Sequence, residues 1–227
     1  MRAPRSRRQP VPSGGAWFQQ PDSLRLIGAI QRDVAAHLPP AVGPAALVLR
    51  ACAGLAPPPL GPGMRRVLSL VRGACGFEGD VRCAEHALPL ESGSISLLYA
   101  AHVLETATDP AALLAEFRRV LRPEGLALIV ALNPWSATRL RWQRQVPAAL
   151  APGALARMAD HAGLRLEARH YVGPYWRADE RWREAPEQGA LRPLRAAYLI
   201  QARSREPGLI AARRVPTRRL RAELRPG

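Results

Sequence analysis

The sequence predicts an α/β protein built on one central, mostly parallel sheet flanked by helices on both faces. Three observations carry this. Short apolar runs without polar alternation recur along the 227 residues, amphipathic helices fall between them, and brief Gly/Pro connections join the two kinds of segment. Together the runs make seven strands, with the first expected near the middle of the sheet and room for an antiparallel edge.

The elements follow in order. Asp22 or Ser23 is placed to cap a first helix, whose Leu24, Ile27, Ile30, Gln31, Val34 and Leu38 keep helical spacing until Pro39-Pro40 stops it. Ala45 to Ala51 is a short apolar strand, and Pro57, Pro58, Pro59, Pro62 and Gly63 mark the loop after it. Val67 to Val71 reads as the second strand, Val81 to Ala84 as the third, and Ile95 to Leu104 as a longer fourth covered on both faces. Asp109-Pro110 is a cap followed by proline at the first helical position, and Leu113, Leu114, Phe117, Val120 and Leu121 then line one side. Arg118, Arg119 and Arg122 fall in that helix's last turn, where cations complement its dipole, and Gly125 permits the reversal. Leu126 to Leu132 is the next strand, Gly153 to Ala162 a further helix ended by Gly163, Leu164 to Val172 a strand, and Ala196 to Arg203 the last. Arg177 to Arg195, polar and rich in Arg and Glu, reads as an insertion before that strand.

Composition bounds the function. The chain carries 33 basic residues, all of them Arg, against 18 acidic ones, a net charge of +15. Residues 1 to 8 hold four Arg and no acid, and residues 203 to 227 hold eight Arg and two acids, so two-thirds of the charge sits at the ends. We expect 1–15 to be a basic N-terminal tail, 16–205 the folded domain, and 206–227 an Arg-rich C-terminal tail, the ends being polyanion or nucleic-acid contacts if they act at all. A GC-rich coding sequence is the competing explanation for the Arg excess. The longest apolar run, Leu126 to Leu132, is far short of a membrane span, and Met1 to Gly15 lacks the apolar stretch of a secretory signal, so a cytoplasmic location is expected. Cys52, Cys75 and Cys83 form no CxxC and are read as buried thiols. No GxGxxG, Walker loop, GxSxG, HExxH or paired carboxylates occur, which leaves hydrolase, kinase and metalloprotease readings unsupported.

Leu88-Pro89-Leu90-Glu91-Ser92-Gly93-Ser94-Ile95, then His102-Val103-Leu104-Glu105, Asp109-Pro110 and Arg119-Val120-Leu121-Arg122-Pro123-Glu124-Gly125 resemble class I S-adenosylmethionine-dependent methyltransferases. That family shows LPF-x-DGSFD, HVLEH, DP and RVLRPGG in the same order and spacing. The resemblance is specific over Leu88 to Gly125 and extends more loosely over Ala45 to Arg203. It implies a Rossmann-like methyltransferase fold, S-adenosylmethionine as cofactor, and methyl transfer to an acceptor that the sequence does not identify.

The same resemblance implies where the cofactor would lie: Ala51, Cys52 and Gly54 after the first strand, Ala84 and Glu85 around the third, and His102 after the fourth. The family's pattern is degenerate at these places. Arg50 stands where the first strand usually ends in an acid, a single glycine remains of the GxGxG turn, and Val71-Arg72-Gly73 offers no acid for the ribose hydroxyls. Weak cofactor affinity is therefore expected. Gly54 serves either a tight turn or cofactor contact. His102 lies outside the carboxyl end of a strand, where open α/β sheets bind ligands, or is a histidine hydrogen-bonded at a strand end. Glu105 is read as a cap rather than a catalytic acid, and Trp135 as covering the pocket or packing on Trp142. Trp135, Arg139, Arg141, Trp142 and Arg144, with Tyr175, Trp176, Arg177, Arg181, Trp182 and Arg183, interleave rings and cations. They are read as an amphipathic cover over the cleft in preference to a nucleic-acid surface. No catalytic residue is assigned, and a non-catalytic binding or scaffolding protein with this fold is the rival reading.

Overall fold

A computed structural model describes residues 16–40, 42–60, 62–142, 149–175 and 191–205. The seven strands are β1 Ala46–Arg50, β2 Val67–Arg72, β3 Phe77–Gly79, β4 Ile95–Ala101, β5 Leu121–Leu132, β6 Leu164–Val172 and β7 Ala197–Ser204. They form a single sheet in the order β3-β2-β1-β4-β5-β7-β6. Strand β4 is central, and all seven of its residues are buried, as a run without polar alternation requires. Its neighbour β1 lies one place off centre.

The helices are α1 Pro21–Ala35, α2 Pro110–Val120, α3 Ala137–Trp142 and α4 Pro152–His161. Ile27, Ile30 and Val34 of α1 pack with Ala46, Val48, Leu97 and Tyr99 on one face of the sheet. Leu113, Leu114 and Phe117 of α2, with Leu155 and Ala159 of α4, pack with Leu47, Leu49 and Leu98 on the other. The alternation of β1 and β4 side chains between the faces produces both cores.

The sheet is more mixed than the sequence predicts. The pairs β1–β2, β1–β4 and β4–β5 are parallel, while β2–β3, β5–β7 and β6–β7 are antiparallel. The third strand is also displaced: it is Phe77–Gly79, not Val81 to Ala84, which contributes only isolated bridges from Cys83 to Phe77 and from Ala84 to Ala87. The cause is chain length. Four residues separate β2 from β3, enough for a hairpin and too few for a parallel crossover. Gly76, at φ +151°, makes this hairpin sterically possible, because a Cβ there would come within 2.1 Å of the Cys83 carbonyl oxygen.

Several ends also shift. Pro21 opens α1 behind an extended Gln20, so Asp22 and Ser23 lie inside the helix instead of capping it, and the helix stops at Ala35. Helix α2 is capped as expected: Asp109 Oδ1 accepts from the amides of Ala111 and Ala112 at 2.9 and 3.1 Å. It ends at Val120, leaving Arg118 and Arg119 in its last turn and Arg122 in β5. Strand β4 ends at Ala101, and Leu104 belongs to a 3-10 turn, Leu104–Thr106. The reversal before the apolar part of β5 is made by Glu124 at φ +58°, and Gly125 has no positive φ. Of the cysteines, Cys52 is buried, Cys83 is half-buried and Cys75, in the β2–β3 turn, is exposed. The two tails and the insertion up to residue 190 lie outside the described residues. No helix among the described residues is long and apolar enough to cross a membrane.

Candidate functional site

The carboxyl ends of β1, β2 and β4 form a crest, and the chain leaving each strand brings most of the predicted site residues there. Among the described residues of 51–66 no helix forms between β1 and β2. Pro57, Pro58, Pro59 and Pro62 remove amide donors and clash with a helical path. The turn after β1 therefore has no helix N-terminus behind it, and the usual source of backbone dipole for a bound polar group is missing.

Each crest position is held by a partner from the chain itself. Arg50 donates from Nη1 to the Leu55 carbonyl and from Nη2 to Ser69 Oγ at 3.0 Å, so it ties the loop after β1 to β2. Arg72 donates from Nη2 to Glu85 Oε2 and to the Thr106 carbonyl, both at 2.6 Å, and its guanidinium carbon lies 5.4 Å from the centre of the Phe77 ring. The other oxygen of Glu85 accepts the Thr108 amide at 2.8 Å. With side chains 11% and 7% exposed, Arg72 and Glu85 are a buried pair, which explains why Glu85 is buried beside an exposed Ala84.

His102 is fully buried and takes φ +57°, an uncommon conformation for a residue with a Cβ. Its Nδ1 lies 3.1 Å from Glu105 Oε1, which also accepts the Leu132 amide at 2.6 Å. Glu105 thus links the ends of β4 and β5 by a long-range contact instead of capping its own turn. His102 Nε2, Glu105 Oε2, Arg50 Nε and Arg72 Nη1 are buried with no hydrogen-bond partner among the described residues.

Above this crest lies the entry to α1. A 3-10 turn, Trp17–Gln19, buries Trp17 and Phe18. The Phe18 ring is 5.5 Å from His102, and its carbonyl accepts the Cys52 thiol at 3.2 Å. Burial pushes the Cys52 thiol up from its ordinary value, keeping it the S–H donor this contact needs. Gly54 lies under α1: a Cβ there would sit 2.9 Å from Leu24 Cδ2.

These residues, as placed, do not fit S-adenosylmethionine. Ala51, Cys52, Glu85 and His102 are buried by the chain's own groups, and Gly54 faces Leu24. Past the end of β5 lies a cavity of about 10 Å³ lined by Trp17, Asn133, Ser136, Thr138 and Arg139 among others, room for one water. None of the six candidate residues lines it. Asn133 there is structural, donating to the carbonyls of Pro193 and Arg195 at 2.6 and 2.8 Å. Trp135 is 56% exposed, and the side chain of Trp142, its other expected partner, lies outside the described residues. Most of the interleaved Trp and Arg surface lies outside the described residues.

Sequence reasoning missed Phe18 and Arg72. Phe18 precedes the matched motifs and contacts them only in three dimensions. Arg72 was visible, but its partner Glu85 could be paired with it only once the β2–β3 hairpin was known.

A seven-stranded sheet of this order, with helices on both faces, is the class I S-adenosylmethionine-dependent methyltransferase fold. Residues 64–129 match the family described as Methyltransferase domain. That match covers 66 of the 227 residues, and over this stretch the chain is similar to class I S-adenosylmethionine-dependent methyltransferases. A stretch of 60 residues is 42% identical to a malonyl-[acyl-carrier protein] O-methyltransferase of Laribacter hongkongensis, spanning 26% of this chain and 20% of that protein. Among solved structures, the chain is similar to the methyltransferase chain in a complex with the Trm112 activator of Haloferax volcanii (TM-score 0.55, 16% identity, 88% of this chain and 100% of that one). It is also similar to an S-adenosylmethionine-dependent methyltransferase of Mesorhizobium loti (TM-score 0.51, 16% identity, 78% and 99%). At these identities the structures speak for the fold.

Proposed function

We propose that this chain is a methyltransferase-like protein of the cytoplasm whose reaction is S-adenosylmethionine-dependent methyl transfer to an unidentified acceptor. The observation that carries the reading is the Methyltransferase domain match over residues 64–129, which spans β2, β4, α2 and the start of β5 and so includes much of the crest. The test is calorimetric titration with S-adenosylmethionine and with its demethylated product. Binding of either, weaker than low micromolar because the loop after β1 is degenerate, supports the reading. Absence of binding for every form of the protein, including those opened as described below, removes it.

A second reading is favoured by the buried Arg72–Glu85 pair at the crest. On that reading the fold is kept as a binding or scaffolding module that contacts RNA or another polyanion through its Arg-rich ends. Its signature is nucleic-acid affinity that falls steeply with salt and vanishes when both ends are removed.

A further inference from the structure

We infer that the segment from Trp17 to Leu24 is an internal occupant of the cofactor cleft, and that a nucleoside-bearing cofactor and this segment compete for one place. The inference rests on the methyltransferase reading and goes beyond it, because it names what keeps the cleft shut.

Two independent observations carry it. The first is steric. Phe18 is fully buried over His102, and Leu24 lies against Gly54, so the segment covers two of the crest positions through which the family holds its cofactor. Gln31 Nε2 extends this seal, donating to the Ala56 carbonyl at 3.0 Å.

The second is chemical. His102 Nε2 is buried and unpartnered among the described residues, and the Phe18 ring 5.5 Å from the imidazole offers neither a donor nor an acceptor. A buried polar atom left without a partner costs about 1–3 kcal/mol, and native interiors seldom keep one without a reason. Such an atom under an apolar cover points to a place built for a polar guest and filled by an apolar one. The Phe18 contacts offset the loss by burying a whole ring.

Competition has a defined arithmetic. If the segment is docked in most molecules, the apparent affinity for S-adenosylmethionine is the intrinsic affinity reduced by the undocked fraction. Loosening the segment must then tighten binding without any change in the residues that hold the cofactor.

The experiment is calorimetric titration of S-adenosylmethionine into the full chain and into Leu24→Ala and Phe18→Ala, with folding checked by circular dichroism. In parallel, hydrogen exchange of residues 17–26 in the natural protein is followed with and without the cofactor. We expect the variants to bind at least about tenfold more tightly, and cofactor to speed exchange across the segment. Should Phe18→Ala fail to fold, Leu24→Ala and the exchange measurement on the natural chain decide. Equal affinity in all forms with unchanged exchange overturns the competition and leaves the methyltransferase reading standing. No binding by any folded form overturns both.

Discussion

Arg72 places one guanidinium against a carboxylate, a backbone carbonyl and the face of Phe77. Removing either partner of a buried pair leaves the other as an uncompensated charge, so Arg72→Ala or Glu85→Gln is expected to lower unfolding stability by about 3 kcal/mol in urea titration. Replacing both together with methionine should recover most of that loss, since the paired charges also carry a desolvation cost. A double-substitution cycle showing additive losses would mean the two side chains do not act as a pair. Glu124 makes an opposite case. It holds φ +58°, where the related RVLRPGG pattern has glycine, and its ion pair with Arg165 is long and exposed. Glu124→Gly is expected to raise stability by about 0.5–1 kcal/mol in the same assay, because glycine adopts this conformation without a Cβ clash.

Among the elements, α2 shows how a matched motif acts as a clamp. Arg119 donates to the carbonyls of Leu88 and Leu90 at 2.8 Å each, and Glu116 accepts the Leu88 amide at 3.1 Å. The motif around Leu88-Pro89-Leu90 is thereby fastened to the helix that follows β4. The Arg119 guanidinium holds the Glu116 carboxyl below the usual carboxylate range. The stabilisation is therefore present above the ordinary carboxylate pKa and is lost as pH falls through the lower folded value. Stability of the natural protein should drop between about pH 5 and 3 more steeply than that of Glu116→Gln, as followed by thermal melts across pH. The elements were unevenly legible in the sequence. Helix α2, β4 and β6 could be read because cap, proline and apolar spacing are local. Strand β3 was misplaced because three residues carry too little pattern, although the short spacing from β2 already excluded a parallel crossover. At the crest, Ala51, Cys52, Gly54, Glu85 and His102 were located by the family's motifs, but their actual partners come from Phe18, Leu24, Arg72 and Glu105. Contacts such as Cys52 to Phe18 bridge 34 positions and leave no trace in local spacing.

For the whole molecule, the far edge of the sheet is tied to the first helix. Asp33 of α1 accepts from Arg195 Nη2 at 2.7 Å and from the Gly173 amide at 2.8 Å, and Gln201 Nε2 donates to the His37 carbonyl at 2.8 Å. Asp33→Asn keeps the shape but loses the charge-assisted bonds, so a loss of about 1–2 kcal/mol is expected in urea titration. The charge distribution makes a separate prediction. If the ends contact nucleic acid, deleting residues 1–15 and 206–227 abolishes binding and its salt slope, and a core that binds as before returns attention to the Trp and Arg surface.

The position of β7 has a consequence for how the protein is made. It is the last of the described strands to be synthesised, yet it lies between β5 and β6 and pairs with both. Until residue 204 has emerged, β5 presents an open, apolar edge from Leu126 to Leu132, and β6 has no neighbour to join. A nascent chain that stalls before this point exposes the kind of strand edge that recruits other chains. The protein thus cannot mature from its N-terminus forward. It waits on β7, and loss of even a few residues from that strand should send the product to aggregates rather than to a shortened, folded domain.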